Sequence, residues 1–222
     1  MENNAFYVAL SLLLDFDASL FQIVALSLQV SLLAVLIAAV LVFPLCSAVA
    51  LWRFPVRGIM IVVLNALMGL PPVVAGLIVY LLLSRAGLLG EWGFLFTPGA
   101  LVVAQVVLVL PILAAHSRQK VAALTVEYHE QFVSLGLSRA RIMPTLLWDA
   151  RFALLTILRA GFGRASAEVG AVMMVGGNID GVTLVMTTAI VLETGKGNLP
   201  LALGLGIVLL ALVMLINAGA YL

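Results

Sequence analysis

From Phe21 to Phe43 the chain reads FQIVALSLQVSLLAVLIAAVLVF, without one ionisable side chain. As an α-helix this run is about 35 Å long at about 1.5 Å per residue, more than the roughly 30 Å of a bilayer's hydrocarbon core. In lipid the backbone must satisfy its own amides and carbonyls, so a run of this kind has only the helix open to it. Similar runs recur along the sequence. Hydrophobic residues make up 64% of the 222 and charged residues 9%, where soluble domains hold about 45–50% and about 25%. The chain reads as all-α and polytopic, a single transmembrane domain over residues 1–222. Its formal net charge of +1 gives no basic footprint for nucleic acid.

Five spans are expected. The first covers 21–43, with an apolar tail to Leu51 and a possible kink at Pro44. The second covers 58–84, and Gly69 and Pro71-Pro72 in its middle free backbone carbonyls and force a bend. Such a bend is tolerated where protein surrounds it, which places Pro71 and Pro72 inside the bundle. A Gly- and aromatic-rich loop over 85–97 follows. Thr97-Pro98 reads as N-cap and N1 proline of a third span ending near Ala115. The fourth span covers 150–175, a loop covers 176–197, and the fifth span covers 198–219. Within that loop, DGVTLVMTTAIVLE (180–193) is too short and polar to cross. Residues 4–18 carry Asp15 and Asp17 and suit an interfacial helix in an extracytoplasmic stretch over 1–20. Met-Glu-Asn-Asn lacks the basic start of a cleavable signal. Cys46 lies in an apolar run and reads as a small buried hydrophobe.

The basic residues orient these spans. Arg53, Arg57, Arg118, Lys120, Arg139, Arg141 and Arg151 fall on one side, and only Arg85 and Lys196 on the other. Positive residues concentrate in the cytoplasm. The polar segment 116–150 and the C-terminus are therefore expected inside, and the N-terminus outside.

The most charged part of that segment is Val126–Asp149, VEYHEQFVSLGLSRARIMPTLLWD. Leu124, Tyr128, Phe132 and Leu135 recur at helical spacing and make one apolar stripe. Glu127, Glu130 and Ser134 fall on another face. Gly136 follows the stripe as a C′ glycine would, and Ser138 is placed to cap a second helix from Arg139. Pro144 is expected to break the chain before the fourth span. A solvated connector would fit this composition, but an exposed amphipathic helix asks for a groove to lie in.

The fourth span holds Arg159, Arg164 and Glu168. Charge near the bilayer centre costs about 2.5–3.5 kcal/mol on insertion scales, so these side chains should face protein or water. Arg164 and Glu168 are four residues apart and can pair directly. One reading is a neutralised pair that fixes helix packing; the other is that Arg164 or Arg159 helps a dianion along a path or gates it. Ser166 is a candidate polar group on that path. Gly163, Ala167 and Ala171 form a small-residue ridge, with Gly170 beside it, suited to close helix approach.

The cytoplasmic segment resembles the loop of type I ABC importer permeases, which reads Glu-Ala-Ala, three residues, then Gly. Here Glu130-Gln131-Phe132 is followed by three residues and Gly136. The Ala-Ala pair is absent, and Leu146-Leu147-Trp148-Asp149 stands where the family carries Ile-x-Leu-Pro. Over about residues 24–217 the chain is similar to molybdate, tungstate and sulfate importer permeases. ALSLQVSLLAVLIAAVLVFPLC, LNALMGLPPVVAGLIVYLLLSRAGLLG and FGRASAEVGAVMMVGGNIDG carry this resemblance. VGGNI (175–179), TTAI (187–190) and LETGKG (192–197) resemble the tungstate branch most.

The resemblance implies a coupling helix around Glu130–Gly136 seated in a cytoplasmic ATPase. Glu130 would offer charge, Phe132, Leu135 and Leu137 apolar contact, and Gly136 the exit turn. It also implies a homodimer, two ATP-binding cassette subunits and an extracytoplasmic oxyanion-binding protein. That protein would dock at an outer-mouth loop holding Asn178, Thr187 and Thr188. ATP and Mg would be held by the partner ATPases, with no cofactor in this chain.

The residues agree that ATP is bound elsewhere, because GxxxxGK[ST] is absent. His129-Glu130 lacks the second His of a zinc helix, and no nucleophile constellation stands out. A competing reading is half of an ion-gradient-driven secondary transporter with a five-span repeat.

Overall fold

The computed structural model describes residues 18–52 and 54–219. The expected interfacial helix falls almost wholly outside them, as does Arg53. The described residues form ten α-helices, with one 3-10 turn and no strand, so the all-α expectation holds.

Helix α1 is Ala18–Leu51, 34 residues running straight through Pro44. Its last carbonyls have no intrahelical partner. Arg57 supplies one, donating from Nε to Val49 O at 2.8 Å and from Nη2 to Ala50 O at 3.4 Å. The expected basic loop is thus partly a helix cap.

The second expected span is two half-helices, α2 (Arg57–Leu67) and α3 (Pro72–Leu83), which meet at 108°. At 11 and 12 residues each is about 17 Å long, roughly half a bilayer. Pro71 stands at the N-cap in extended conformation and Pro72 is N1. The placement of this pair inside the bundle needs correcting, because Pro71 is exposed, Pro72 is half-buried, and α2 has no buried residue. Only α3 turns a face inward, through Ala75, Gly76, Val79 and Leu83.

Helix α4 is Pro98–Glu127. It starts as expected, with Thr97 extended and its hydroxyl donating to Phe94 O at 2.6 Å, but it continues well past Ala115. Val121 and Leu124 are buried in that extension while His116, Gln119 and Lys120 face outward. The third span thus runs on without a break into the polar segment, where Leu124 was expected on a helical stripe.

Beyond it lie α5 (His129–Ser134), α6 (Arg139–Asp149) and α7 (Arg151–Ser166). Pro144 sits inside α6 and does not break it. The expected continuous span over 150–175 is broken too. It stops at Ser166 and resumes as α8 (Gly170–Gly176). Residues 176–197, expected as a loop, contain α9 (Met186–Gly195), and α10 (Leu199–Ala218) matches the fifth span.

Of the five expected spans, three are therefore single helices long and apolar enough to cross, namely α1, α4 and α10. The bent α2–α3 pair brings the number to four at most.

Helices α1 and α4 run parallel at the centre, and successive apolar clusters climb along both. Val30 of α1 shares a cluster with Leu101 and Ala104, Val42 with Val109 and Leu113, and Leu51 with Val121 and Leu124. Cys46 is buried in the middle cluster, as a small hydrophobe would be.

The small-residue ridge also needs correction. Ala167 is exposed, and a Cβ on Gly163 would meet nothing within 4 Å. Gly170 does sit at a close approach, where a Cβ would stand 2.9 Å from Val73 Cγ2, and two more lie outside the ridge. A Cβ at Gly161 would stand 2.7 Å from Leu113 Cδ1, and one at Gly76 would stand 2.6 Å from Ala171 Cα. Ala171 does mediate close packing, but between α8 and α3.

Candidate functional site

Two regions collect the residues singled out from the sequence: the water-facing hairpin of α5 and α6, and a polar junction where α1, α4, α7 and α9 converge.

In the hairpin, α5 ends in a Schellman turn. Gly136 adopts φ +60°, its N–H donates to Val133 O at 3.1 Å, and Leu137 N–H donates to Phe132 O at 3.2 Å. Phe132 and Leu137, the two residues this turn brings together, both pack on the cluster of Leu51, Val121, Leu124, Ile142 and Leu146. Ser138 stands extended before α6, although its hydroxyl makes no capping bond. Tyr128 stacks edge-on against Phe132 with ring centroids 5.9 Å apart. Its hydroxyl donates to Asp149 Oδ2 at 2.9 Å. This bond ties the start of α5 to the end of α6, and it raises the Tyr128 phenol above its ordinary value near 10. Asp149, one of the residues that departs from the family's loop pattern, thus has a structural role in this chain.

The expected stripe splits. Leu124, Tyr128 and Phe132 face the protein, whereas Leu135 is 70% exposed. Phe132 is therefore not free to anchor a partner. The outward set is Glu130, Val133 and Leu135, with Val133 66% exposed. Val133 was missed because it lies outside the Leu124–Tyr128–Phe132–Leu135 register, and its 3-residue spacing from the acidic Glu130 was the available signal.

In the membrane-embedded part, Arg164 Nη1 donates to Glu168 Oε2 at 2.6 Å, as the four-residue spacing allows. The other oxygen of Glu168 accepts from Ala171 N–H at 3.1 Å, and its backbone carbonyl accepts from the Thr187 hydroxyl at 2.8 Å. The carboxylate therefore bridges the break between α7 and α8, capping α8 while neutralising Arg164. Glu168 is 3% exposed. Arg159 is half-buried on the same helix and belongs to neither ion pair found among the described residues.

The outer-mouth expectation fails for two of its three residues. Thr187 is 8% exposed and Thr188 is fully buried. Thr188 Oγ1 accepts from Val185 N–H at 3.3 Å and so closes the first turn of α9. Hydroxyls that bond to nearby backbone can be buried at little cost. Asn178 is half-buried at φ +53°, next to Gly177 at φ +68°, where the chain leaves α8. Pro71 and Pro72 stand at the α2–α3 bend, away from this junction.

Ser166 lines a small, partly open cavity of about 10 Å³ together with Ser27, Ser31, Gln105 and Thr187. Ser27 Oγ accepts from Met186 N–H at 2.7 Å and joins α1 to the start of α9. Gln105 Nε2 donates to Ala165 O at 3.2 Å. Gln105 was not singled out from the sequence, although a lone amide inside an apolar span is a readable signal.

No protein-family model matches the chain. Curated relatives do. It is 39% identical over 204 residues to a probable anion ABC transporter permease protein of Haloferax volcanii, covering 90% of this chain and 88% of that protein. It is 36% identical over 218 residues to the tungstate uptake system permease protein TupB of Peptoclostridium acidaminophilum, covering 98% and 96%. With TupB of Campylobacter jejuni it shares 34% identity over 214 residues, covering 96% and 90%. Sulfate and molybdenum transport permeases are more distant relatives, at 29–30% identity.

Proposed function

The chain belongs to the family of ABC transporter permeases for tungstate, molybdate and sulfate, and from that premise we propose that it is the membrane subunit of an ATP-driven importer of a tetrahedral oxyanion, tungstate first. Two of the relatives above are named for tungstate uptake, which supports that cargo. Two copies would enclose the path across the cytoplasmic membrane, since isologous pairing is the simplest closure open to a bundle with three continuous spans. Helix α2 has no buried residue in the single chain, and Ile59, Val62 and Val63 are exposed on it, an apolar surface that a second copy would cover. Arg159 and Ser166 are proposed to face the path, while Arg164 is held by Glu168.

Coupling to two cytoplasmic ATPase subunits rests on one observation. Glu130, Val133 and Leu135 face water on a helix whose opposite side is locked to the protein by Phe132, Leu137 and the Tyr128–Asp149 bond. Only a rigid contact transmits two discrete ATPase arrangements to the spans. On this reading the hairpin is cytoplasmic, the N-terminus is outside, and an extracytoplasmic binding protein delivers the anion near Asn178. ATP and Mg reside on the partner subunits.

The test is uptake of tungstate into vesicles containing the permease, its ATPase and its binding protein. Uptake that needs ATP and all three components is expected. Uptake driven by an ion gradient through the permease alone would establish the secondary-transporter reading instead.

A further inference from the structure

The small, partly open cavity at the junction of α1, α4, α7 and α9 measures about 10 Å³, room for about one water. One wall carries an unmet need. Gln105 is 3% exposed, and its Oε1 is buried with no hydrogen-bond partner. The amide orientation is fixed by the other end, because Nε2 donates to Ala165 O. Flipping the amide would bring two carbonyl oxygens together. Oε1 therefore stays where it is, an unpaired acceptor on a residue that lines the cavity. Leaving such an acceptor unpaired is costly, and more so in a span with no lipid-side water to relieve it.

The remaining walls have the right chemistry for a small ligand that both donates and accepts. Ser31 is 2% exposed and Ser166 is half-buried, and both line the same space. Ser27 and Thr187 also line it, but Ser27 already bonds Ile23 O and Met186 N–H, and Thr187 bonds the carbonyl of Glu168. A tetrahedral oxyanion does not fit so small a volume and would be repelled by Oε1. We propose that the cavity holds a single structural water, which donates to Gln105 Oε1 and bonds the hydroxyls of Ser31 and Ser166. The water bridges α4 to α1 and α7 beside the break that Glu168 pins. It makes the junction a three-helix joint with one exchangeable member, whatever the cargo.

Met186 lines the same cavity and is itself 3% exposed, so it serves as an internal reporter. Hydroxyl radicals made in place by a short X-ray pulse attack thioethers next to bound water, even where bulk solvent does not reach. The experiment measures Met186 oxidation in the full-length permease in lipid nanodiscs, normalised to exposed Trp148 and His129. Rapid Met186 oxidation is expected in the wild type, with a severalfold drop in Gln105→Leu, which removes the acceptor, and in Ser31→Val, which fills the space. If either variant fails to fold, the other carries the comparison. An unmodified Met186 in the wild type means a dry cavity and overturns the proposal. Equal oxidation in the wild type and in a folded variant also overturns it, because the water would then not be held by these residues.

Discussion

Tyr128 and Asp149 stand at opposite ends of a two-helix hairpin and are joined by one hydrogen bond of 2.9 Å. That bond makes the hairpin a closed unit, and it gives the hairpin a pH dependence. The phenol is raised above its ordinary value near 10 because the Asp149 carboxylate accepts its proton and opposes its ionisation. A raised value means that the folded state holds the proton more tightly. The stabilisation is therefore complete below about pH 10 and disappears as pH rises through the folded-state value. Protection factors across residues 129–137, each rate taken against the intrinsic rate at that pH, should fall above about pH 10 in the wild type. In Tyr128→Phe they should be lower than in the wild type below that pH, with no alkaline step.

Glu193 has the opposite sign. Lys196 Nζ and Asn198 Nδ2 donate to its two oxygens at 2.7 and 2.9 Å, and they hold its carboxyl below the usual value. The contribution is present above the unfolded carboxylate range and is lost as pH falls through the lowered value. Protection factors at the α9–α10 turn, taken against the intrinsic rate at each pH, should fall only below about pH 4 in the wild type, whereas Glu193→Gln should show no acid step.

Gly136→Ala should destabilise the hairpin by about 1–2 kcal/mol, the cost of a left-handed residue with a Cβ. A Cβ there meets nothing within 4 Å, so no clash adds to the strain. Gly136→Asn should cost less, because Asn tolerates that region better. Thermal unfolding of the three proteins in detergent gives the ordering Gly, Asn, Ala; equal stability of all three would remove the Schellman turn as a constraint.

Val133→Asp and Glu130→Ala should each weaken ATPase docking by about 1 kcal/mol or more, roughly fivefold in affinity. Phe132→Ala should instead lower the stability of the permease itself, since Phe132 packs inward. Affinity of the purified ATPase for the nanodisc-embedded permease separates the two outcomes. Full docking by Val133→Asp would place the contact elsewhere.

Arg164→Met and Glu168→Gln should each destabilise the protein more than the pair changed together. Arg164→Met leaves the buried Glu168 carboxylate, and Glu168→Gln the partly buried Arg164 guanidinium, without its counter-charge. A coupling of about 0.5–3 kcal/mol is expected from the double-mutant cycle, near the lower end because Arg164 is one-third exposed. Strict additivity would mean that the pair does not act as a unit.

Much of this architecture is legible in the sequence. Thr97-Pro98, Gly136 and the spacing of Arg164 and Glu168 act through their immediate neighbours, and local rules reach that far. The extension of α4 past Ala115 was hidden because its polar face looks like a loop, and only the burial of Val121 and Leu124 against α6 reveals the helix. The break at 167–169 has no proline to announce it and depends on Glu168 capping α8. The resemblance implied an outer-mouth position for Thr187 and Thr188, but their hydroxyls bond to backbone, which permits burial. For the same reason the orphaned Gln105 Oε1 required the surrounding helices to be in place.

The bend between α2 and α3 has a consequence for how the protein enters its bilayer. Met68, Gly69 and Leu70 donate to Asn65, Ala66 and Leu67, each three residues back, and the next two positions, Pro71 and Pro72, have no amide hydrogen to satisfy. Those five residues carry no donor that needs a later-made segment. The donors of the bend are therefore satisfied by residues already made, before the helix bearing Ala171 has been synthesised to lock against Gly76.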